Sequence, residues 1–590
     1  VGHLLRELKE GRCAVASEPR ELTAVEGIKE QSDHLRGDLA TQLASSEPNV
    51  SESSEQLLKF HGIYAQDDRD VRRERSLAKE TLEYIFMIRV AIPGGRLSSK
   101  QWLALDHIAG EIADGTIRLT TRQAVQYHGV RKGGLRPLAR VLDEHLMTSF
   151  GACGDVVRNI VACPGLQTEP GGNRLRAITD HLATAFKPRT QAHWEIFVDG
   201  ERAASKEVEE EHDFYGDTYL PRKFKIAIAH PGDNCVDVFA QDLGLVPGTH
   251  PELGEGFTVL VGGGLGRSYA NPDTFARLAD PLSFVTDDEL DGVIAAVLAT
   301  YRDLGDRTDR RRARMKYVVA DRGIEAFRSE VEARLGAPLR APLAVMPDIG
   351  ADDHLGWRIS ADGSHQVGIR VGAGRVRDEK PDAGLRTALR KIAASSDVTF
   401  LITPQQDLLI AGIAGEDRDR IGEILEANAV AGVEELGPVE RNALACPALP
   451  TCGQALAEAE RRLPDLVDLL EGELASRPLA GRRLQLRMTG CPNGCARPAV
   501  AEVGVVGRTK TSYDLFVGGG PSGDRLAVLF REKVKFDDIP AALAPLLDRW
   551  AAEAGEQEAF GDFIARAGID EPGIDEPGVD ETGIEKAGLS

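Results

Sequence analysis

Four cysteines near the end of the chain have the types and spacing for metal chemistry. Cys446 and Cys452 lie in Ala-Cys-Pro-Ala-Leu-Pro-Thr-Cys, and Cys491 and Cys495 in Gly-Cys-Pro-Asn-Gly-Cys. Five residues separate the first pair and three the second. Structural zinc sites usually use tighter knuckles, and disulfide scaffolds scatter cysteines through short secreted chains. The pattern favours the four-thiolate cage of an iron–sulfur cluster, with a zinc site and unliganded core thiols as the alternatives.

The rest of the chain must position those thiols. Its 590 residues hold about three to five domains' worth of mass, enough to bury a large cofactor. Cys13, Cys153, Cys163 and Cys235 have no mutual pattern, so a reducing compartment is expected. The first residues contain no apolar core of signal-peptide length, and nowhere do eighteen apolar residues run together. A soluble, cytoplasmic protein without membrane contact is therefore expected. A formal net charge of −22 argues against nucleic acid as a partner and leaves docking onto a basic protein surface open.

The chain repeats itself. Val157-Arg-Asn-Ile-Val-Ala-Cys-Pro matches Glu440-Arg-Asn-Ala-Leu-Ala-Cys-Pro, with Cys163 lying 283 positions before Cys446. Thr120 to Gly129 lies over Thr403 to Gly412 at the same offset of 283. Val261-Gly-Gly-Gly and Val517-Gly-Gly-Gly form another pair, as do Gly94-Gly-Arg-Leu and Ala373-Gly-Arg-Val. In each copy a glycine turn leads into an amphipathic segment (100–113; 383–394) and then an alternating strand (116–130; 398–413). The fold class expected is α+β, internally duplicated, with pseudo-twofold symmetry and three domains. The position equivalent to Cys452 in the first copy is Glu169, so only the second copy keeps the full thiol set and the first is expected to face it with substrate ligands.

Basic residues in that first copy support this division. Lys223 and Lys225 sit two apart in Leu-Pro-Arg-Lys-Phe-Lys-Ile-Ala-Ile-Ala, which on a strand aims both ammonium groups to one face. Arg89 and Arg158 are the other candidates, and together the four could grip a small anion; a solvated edge strand is the bland alternative. The run from Arg302 to Lys316 carries six arginines and one lysine, which suits either a wet helix face or a ligand rich in carboxylates. Gly262 to Gly264 and Gly518 to Gly520 end apolar runs and would let backbone amides approach anions. Neither continues as a dinucleotide-binding fingerprint, so nicotinamide binding on this chain is rejected.

Phe60-His-Gly-Ile-Tyr-Ala-Gln-Asp-Asp-Arg-Asp, Arg118-Leu-Thr-Thr-Arg-Gln, Tyr219-Leu-Pro-Arg-Lys-Phe-Lys, Arg307-Thr-Asp-Arg, the four-cysteine set and Phe560-Gly-Asp-Phe resemble the sirohaem and [4Fe–4S] sulfite and nitrite reductases, in particular their haemoprotein (β) subunits. The likeness runs from about Leu57 to Gly568. It implies that Cys446, Cys452, Cys491 and Cys495 hold a [4Fe–4S] cluster and that the Cys495 thiolate is also the axial ligand of the sirohaem iron. It implies that Arg89, Arg158, Lys223 and Lys225 surround the substrate. Arg118, Thr120, Arg122, Gln126 and His128, with Arg307, Arg310, Arg314 and Lys316, would meet the sirohaem carboxylates, and Gly263, Gly264 and Asn493 would complete the cofactor contacts.

The same resemblance implies six-electron reduction of sulfite to sulfide, with nitrite reduction as the alternative. Sulfite is favoured because relatives that reduce nitrite commonly have a non-basic residue at the position of Lys225. It favours an NADPH-oxidising FAD/FMN flavoprotein as electron donor over ferredoxin. The domains expected are a polar, partner-docking arm (1–56), paired ferredoxin-like half-domains (57–147 with 350–435), a substrate-facing domain (148–349) and its cluster-bearing copy (436–567). A five-residue acidic repeat (568–590) is expected to be disordered. Tyr64 and Cys163 occupy positions that approach one another near the haem in some ferredoxin-dependent members; the expectation for this pair is a buried thiol beside an aromatic ring rather than a covalent link.

Overall fold

The alternating run 116–130 folds as a hairpin rather than one strand. In the computed structural model, which describes residues 21–167, 172–189, 195–198, 201–205, 211–343, 350–380 and 383–569, strands Ile117–Leu119 and Val125–Val130 pair antiparallel. Gln123 turns the chain at φ 51°. The second copy repeats this with Thr399–Ile402, Leu408–Ile413 and Gln406 at φ 70°. Left-handed backbone is uncommon for a side chain with Cβ. Gln123 is held there by its own amide, which donates to Ile402 O at 2.8 Å and so ties the two copies together.

Each half-domain completes its sheet with a strand of the other. The first has the order Ile63–Asp67, Tyr84–Val90, Val125–Val130, Ile117–Leu119 and then Arg375–Val376 from the second copy. The second runs Gly356–Ile359, His365–Ile369, Leu408–Ile413, Thr399–Ile402 and then Arg96–Ser98 from the first. Glycine is required where the exchanged strands enter. A Cβ on Gly95 (φ 73°) would lie 2.4 Å from Ile402 O, and one on Gly374 (φ 75°) 2.4 Å from Leu119 O.

Helix Ser99–Glu111 starts at a capping box in which Ser98 and Gln101 satisfy each other's backbone amides, and its Trp102 stacks on Phe400 of the other half-domain at 4.7 Å. Burying a side chain of that size stabilises by roughly 1.5–3 kcal/mol, which makes the exchange a core feature.

The cofactor-facing pair repeats one sheet pattern twice. Val161–Ala162, Ile226–Ile228 and Leu243–His250 are parallel neighbours, followed by antiparallel Gly254–Val261 and Asp280–Val285. Ala443–Ala445, Leu486–Thr489 and Val503–Thr509 match them, followed by Ser512–Val517 and Val528–Lys535. Buried helices Leu290–Leu304 and Ile539–Glu553 follow the last strands.

From residue 21 onward the N-terminal segment packs onto the body. Lys29 and Glu26 are buried and paired at 2.6 Å, one helical turn apart. Lys29 Nζ donates to Leu220 O at 3.0 Å, and Glu26 also receives Arg307. Paired in this way, two charges can enter an interior that rejects either alone. Residues 1–20 and the acidic repeat from residue 570 lie outside the described residues.

Candidate functional site

The four cysteines converge. Cys446 ends the strand Ala443–Ala445, and Cys491 and Cys495 sit on the loop after Leu486–Thr489, its parallel neighbour. Cys446, Cys452 and Cys491 each lie close enough to the other thiols to be raised in pKa by them. Burial is the larger cause, and it pushes Cys491 up to about 12. Such a set loses its protons to a cation rather than to water.

Among the described residues, these four are not among the groups whose ligand atoms all meet within 4.8 Å. A single tetrahedral ion needs edges of about 3.3–3.8 Å, given metal–ligand bonds of about 2.0–2.3 Å. The four thiols are therefore not drawn in around one point, as a single ion would hold them, and a larger group such as a cluster is compatible with them.

The Phe60-to-Asp70 motif braces this cage. Arg69 Nη1 donates to Cys452 O at 3.1 Å and to Ala455 O at 2.9 Å. Replacing Arg69 with Ala is expected to loosen the Cys452 loop by about 1.5 kcal/mol. Faster iron loss to a chelator, with the denaturant midpoint of the body little changed, is the expected result.

Opposite the cage, strand ends of the first copy build an anion site. Arg158 donates its amide to Phe224 O at 2.9 Å, and Phe224 N returns to Val156 O at 3.0 Å. This bridge holds Lys223 and Lys225 extended, on either side of Phe224 and facing one way. A cleft is lined by Arg122, Lys223, Lys225, Arg314, Asn493 and Cys495. Both lysines are held well below the ordinary lysine range. For Lys223 the cause is burial, then Lys225 and Arg158; for Lys225 it is burial, then Arg122 and Arg314.

Arg122 is lowered to about 9, by burial and then Arg158. Its terminal nitrogens reach Gln241 Oε1 and Asn159 O, while its buried Nε has no partner. Arg89 donates to Cys153 Sγ at 2.9 Å. With its amide oxygen turned toward Arg89, Gln126 on the neighbouring strand accepts from Nη2 at 2.5 Å and from Nε at 3.3 Å. With Asp242 already paired to Arg314, the remaining positive charge makes this cleft attractive to an anion.

The remaining expected cofactor residues divide. Arg314 lines the cleft but is paired with buried Asp242 at 2.7–3.0 Å. Lys316, lowered to about 7 by burial and then Arg314, donates to Gly264 O and Gly266 O at 3.1 and 2.7 Å.

Arg307 and Arg310 are committed elsewhere. Arg307 pairs with Glu26, and Arg310 grips Asp155 at 2.8 and 3.1 Å. Arg307 thereby ties the N-terminal segment to the domain, and Arg310 lies 3.9 Å from the same Glu26.

Arg118 is buried with Nη2 on Ala445 O at 2.8 Å, beside Cys446. His128 is pushed well below 6.5 by burial and then Arg375, so it is neutral and offers no cationic charge. Thr120 Oγ1 accepts from Arg122 N and Ala124 N at 3.3 and 3.1 Å, shaping the turn. Gly263 serves packing: a Cβ there would lie 2.3 Å from Phe239 O, as one on Gly519 would lie 2.3 Å from Ala501 O.

Three features escaped the sequence reading. Tyr64 is beside Cys153, not Cys163: burial and then Cys153 raise its pKa, and the two side chains hydrogen-bond. The strand Ile63–Asp67 runs next to the strand of Arg89, whose guanidinium meets Cys153, whereas Cys163 hydrogen-bonds Asp233 at 3.0 Å. Thr121 Oγ1 donates to Cys495 O at 3.0 Å, linking the Arg118-to-Gln123 motif to the cysteine loop. Arg497, two residues past Cys495, meets Asp237 at 2.8 Å.

Duplicated α+β halves, four converging thiols and a facing anion site define a redox enzyme for a small oxyanion. The model of the nitrite and sulphite reductase 4Fe-4S domain matches residues 177–339 and 437–571, and that of the nitrite/sulfite reductase ferredoxin-like half domain matches residues 78–145.

The sulfite reductase [NADPH] hemoprotein beta-component of Myxococcus xanthus is 44% identical, over 94% of this chain and 98% of its own. The sulfite reductase [ferredoxin] of Synechococcus elongatus is 39% identical, over 94% and 90%. The Mycobacterium tuberculosis NirA protein superposes with a TM-score of 0.75 at 26% identity, over 92% of this chain and 96% of that one. The chain belongs to the nitrite and sulfite reductase family. No helix among the described residues is long and apolar enough to cross a membrane.

Proposed function

We propose that this chain is the haemoprotein component of an assimilatory sulfite reductase, which reduces sulfite to sulfide by six electrons. The observation that carries the reading is the pair Lys223 and Lys225. Neither ammonium has a hydrogen-bond or ion-pair partner among the described residues, and both face the cleft onto which Cys495 opens. Cys446, Cys452, Cys491 and Cys495 would hold a [4Fe–4S] cluster, and Cys495, exposed at the cleft, would also bind the iron of a sirohaem. Bound there, the two groups would supply the electrons and a substrate-binding iron.

The chain's own residues do the rest. Arg89, held by Cys153 and Gln126, and Arg158, whose Nε and Nη2 donate to Gly154 O at 3.1 and 3.0 Å, add fixed positive charge beside the lysines. Lys223 and Lys225 attract the anion and donate protons from Nζ as each S–O bond is lost as water. Their lowered pKa makes them stronger acids near neutral pH than free lysine. Asp242 keeps this array in place by accepting from Lys225 N at 3.0 Å and by pairing Arg314.

An NADPH-oxidising FAD/FMN flavoprotein is the favoured electron donor. Relatives from Myxococcus, Chromohalobacter and Methylobacterium carry NADPH hemoprotein names, against the ferredoxin name of the Synechococcus relative.

The test is sulfide release from sulfite with a chemical reductant, by protein containing iron and acid-labile sulfide. Colourless protein lacking both overturns the reading. Adding the flavoprotein with NADPH, or reduced ferredoxin, then decides the donor. Lys225→Asn is expected to lower sulfite turnover at least tenfold more than nitrite turnover, since a dianion depends more on each cation. Equal losses would remove the preference for sulfite.

A further inference from the structure

The first copy of the cysteine loops kept half of the cage and acquired two other ligands. Cys163 stands at the register of Cys446, 283 positions earlier, and Cys235 at that of Cys495, 260 positions earlier. The registers of Cys452 and Cys491 hold Glu169 and Pro231. Asp233 and His354 join the two remaining thiols, and one ligand atom of each of the four lies within 4.8 Å of all the others. We propose that Cys163, Asp233, Cys235 and His354 form a structural zinc site, separate from the redox centre and not dependent on the proposed reaction.

Geometry supports a single ion here. Cys163 Sγ is 3.0 Å from Asp233 Oδ2 and 3.9 Å from His354 Nε2, and His354 Nε2 is 3.0 Å from Asp233 Oδ2. Tetrahedral zinc with these ligand types has edges of about 3.3–3.8 Å, so these three contacts need shifts of about half an ångström or less, and Cys235 Sγ lies within 4.8 Å of each ligand atom. All four residues are less than a tenth exposed.

The other ring nitrogen of His354 faces a carboxylate oxygen of Asp352 at 3.7 Å, and Asp352 is held by Arg358. Imidazole ligands are commonly oriented by such an outer carboxylate. His354 itself has left-handed backbone, φ 61°, a conformation that non-glycine residues keep where the surroundings demand it.

The location gives the site a purpose. Its ligands come from the strand end at Cys163, the loop 230–235 and the segment entering the second half-domain. That segment already touches the loop through Asn234 N to Gly350 O at 2.7 Å and Asp352 N to Asp233 Oδ1 at 3.2 Å. An ion at this point staples the connection between the two halves. Because the ligands are buried, it would be taken up during folding.

Elemental analysis of the loaded enzyme, purified without metal-affinity steps, should find about one zinc per chain beside the iron. X-ray absorption at the zinc edge should show two sulfurs at about 2.3 Å and two lighter ligands at about 2.0 Å. The Cys163→Ala/Cys235→Ala variant should lose the zinc while retaining iron and acid-labile sulfide. Zinc-free wild-type enzyme from zinc-replete cells, a first shell without the two sulfurs, or zinc retained by that variant would each overturn the proposal. Should the variant not fold, the wild-type absorption spectrum decides alone. Iron content and sulfite turnover report on the other site, so the two readings fail separately.

Discussion

Lys225→Met lowers kcat/KM for sulfite by about 10²–10³-fold, the usual loss when one preorganised charge-stabilising donor is removed from an active site. Steady-state kinetics with a chemical reductant measure it without involving the donor protein. The effect is expected to be large because Lys225 lies in the cleft with Cys495 and is not neutralised by Asp242, whose side chain is occupied by Arg314 and by the Lys225 amide.

The pH profile separates this role from a structural one. Both lysines act protonated, so activity falls as pH rises through their depressed values, below the ordinary lysine range. After burial, Lys225 is the leading cause of the depression at Lys223. Removing it should move the alkaline limb of the residual kcat/KM upward, since that limb reports the free enzyme. A variant damaged only in folding would lose amplitude and leave the limb in place.

How much of this was legible beforehand depends on the residue. The repeat, the cysteine cage and the Lys223/Lys225 pair could be read because they are local patterns with fixed spacing. Sequence periodicity does not show partner choice. Nothing near Arg307 or Arg310 in the chain announces that Glu26 and Asp155 will meet them.

The same holds for strand exchange, where Arg96–Ser98 and Arg375–Val376 leave their own copies. Only the paired glycines at 95 and 374, each against the other copy's carbonyl, carry a trace of it. The Tyr64 and Cys153 contact was missed because Cys163 lies in the recognisable repeat and drew the assignment. Cys153 lies ten residues earlier, in a loop without a pattern. Cys163 and Cys235 looked unrelated because their meeting with His354 depends on a connecting segment that has no counterpart inside either copy.

The second large effect lies where the copies meet. Asp237 and Arg497 occupy equivalent positions, each two residues past a cysteine of its own copy and each in left-handed backbone, at φ 47° and 60°. In a symmetric pair of separate chains, a residue on the twofold axis faces its own duplicate, so like charges would oppose each other. Fusion into one chain frees the two positions to differ.

Here they have become an ion pair, with Arg497 Nε 2.8 Å from Asp237 and Arg487 completing the group at 2.6 Å. All three side chains are buried, and burial, then Arg487, hold Arg497 down to about 10 against the pull of Asp237. Asp237→Ala strands two guanidinium groups in the interior and is expected to destabilise by about 3–5 kcal/mol, as when one partner of a buried pair is removed. A fall in the denaturant midpoint measures it.

Adding Arg497→Met should recover part of the loss, because removing both charges is far cheaper than removing one. Since Arg497 also donates to Pro404 O at 2.8 Å, the pair fixes the loop that carries Cys495 against both halves. The single variant should therefore release its iron to a chelator faster than its lowered stability alone accounts for. Equal midpoints for wild type and Asp237→Ala would show that the axis is not held by this charge.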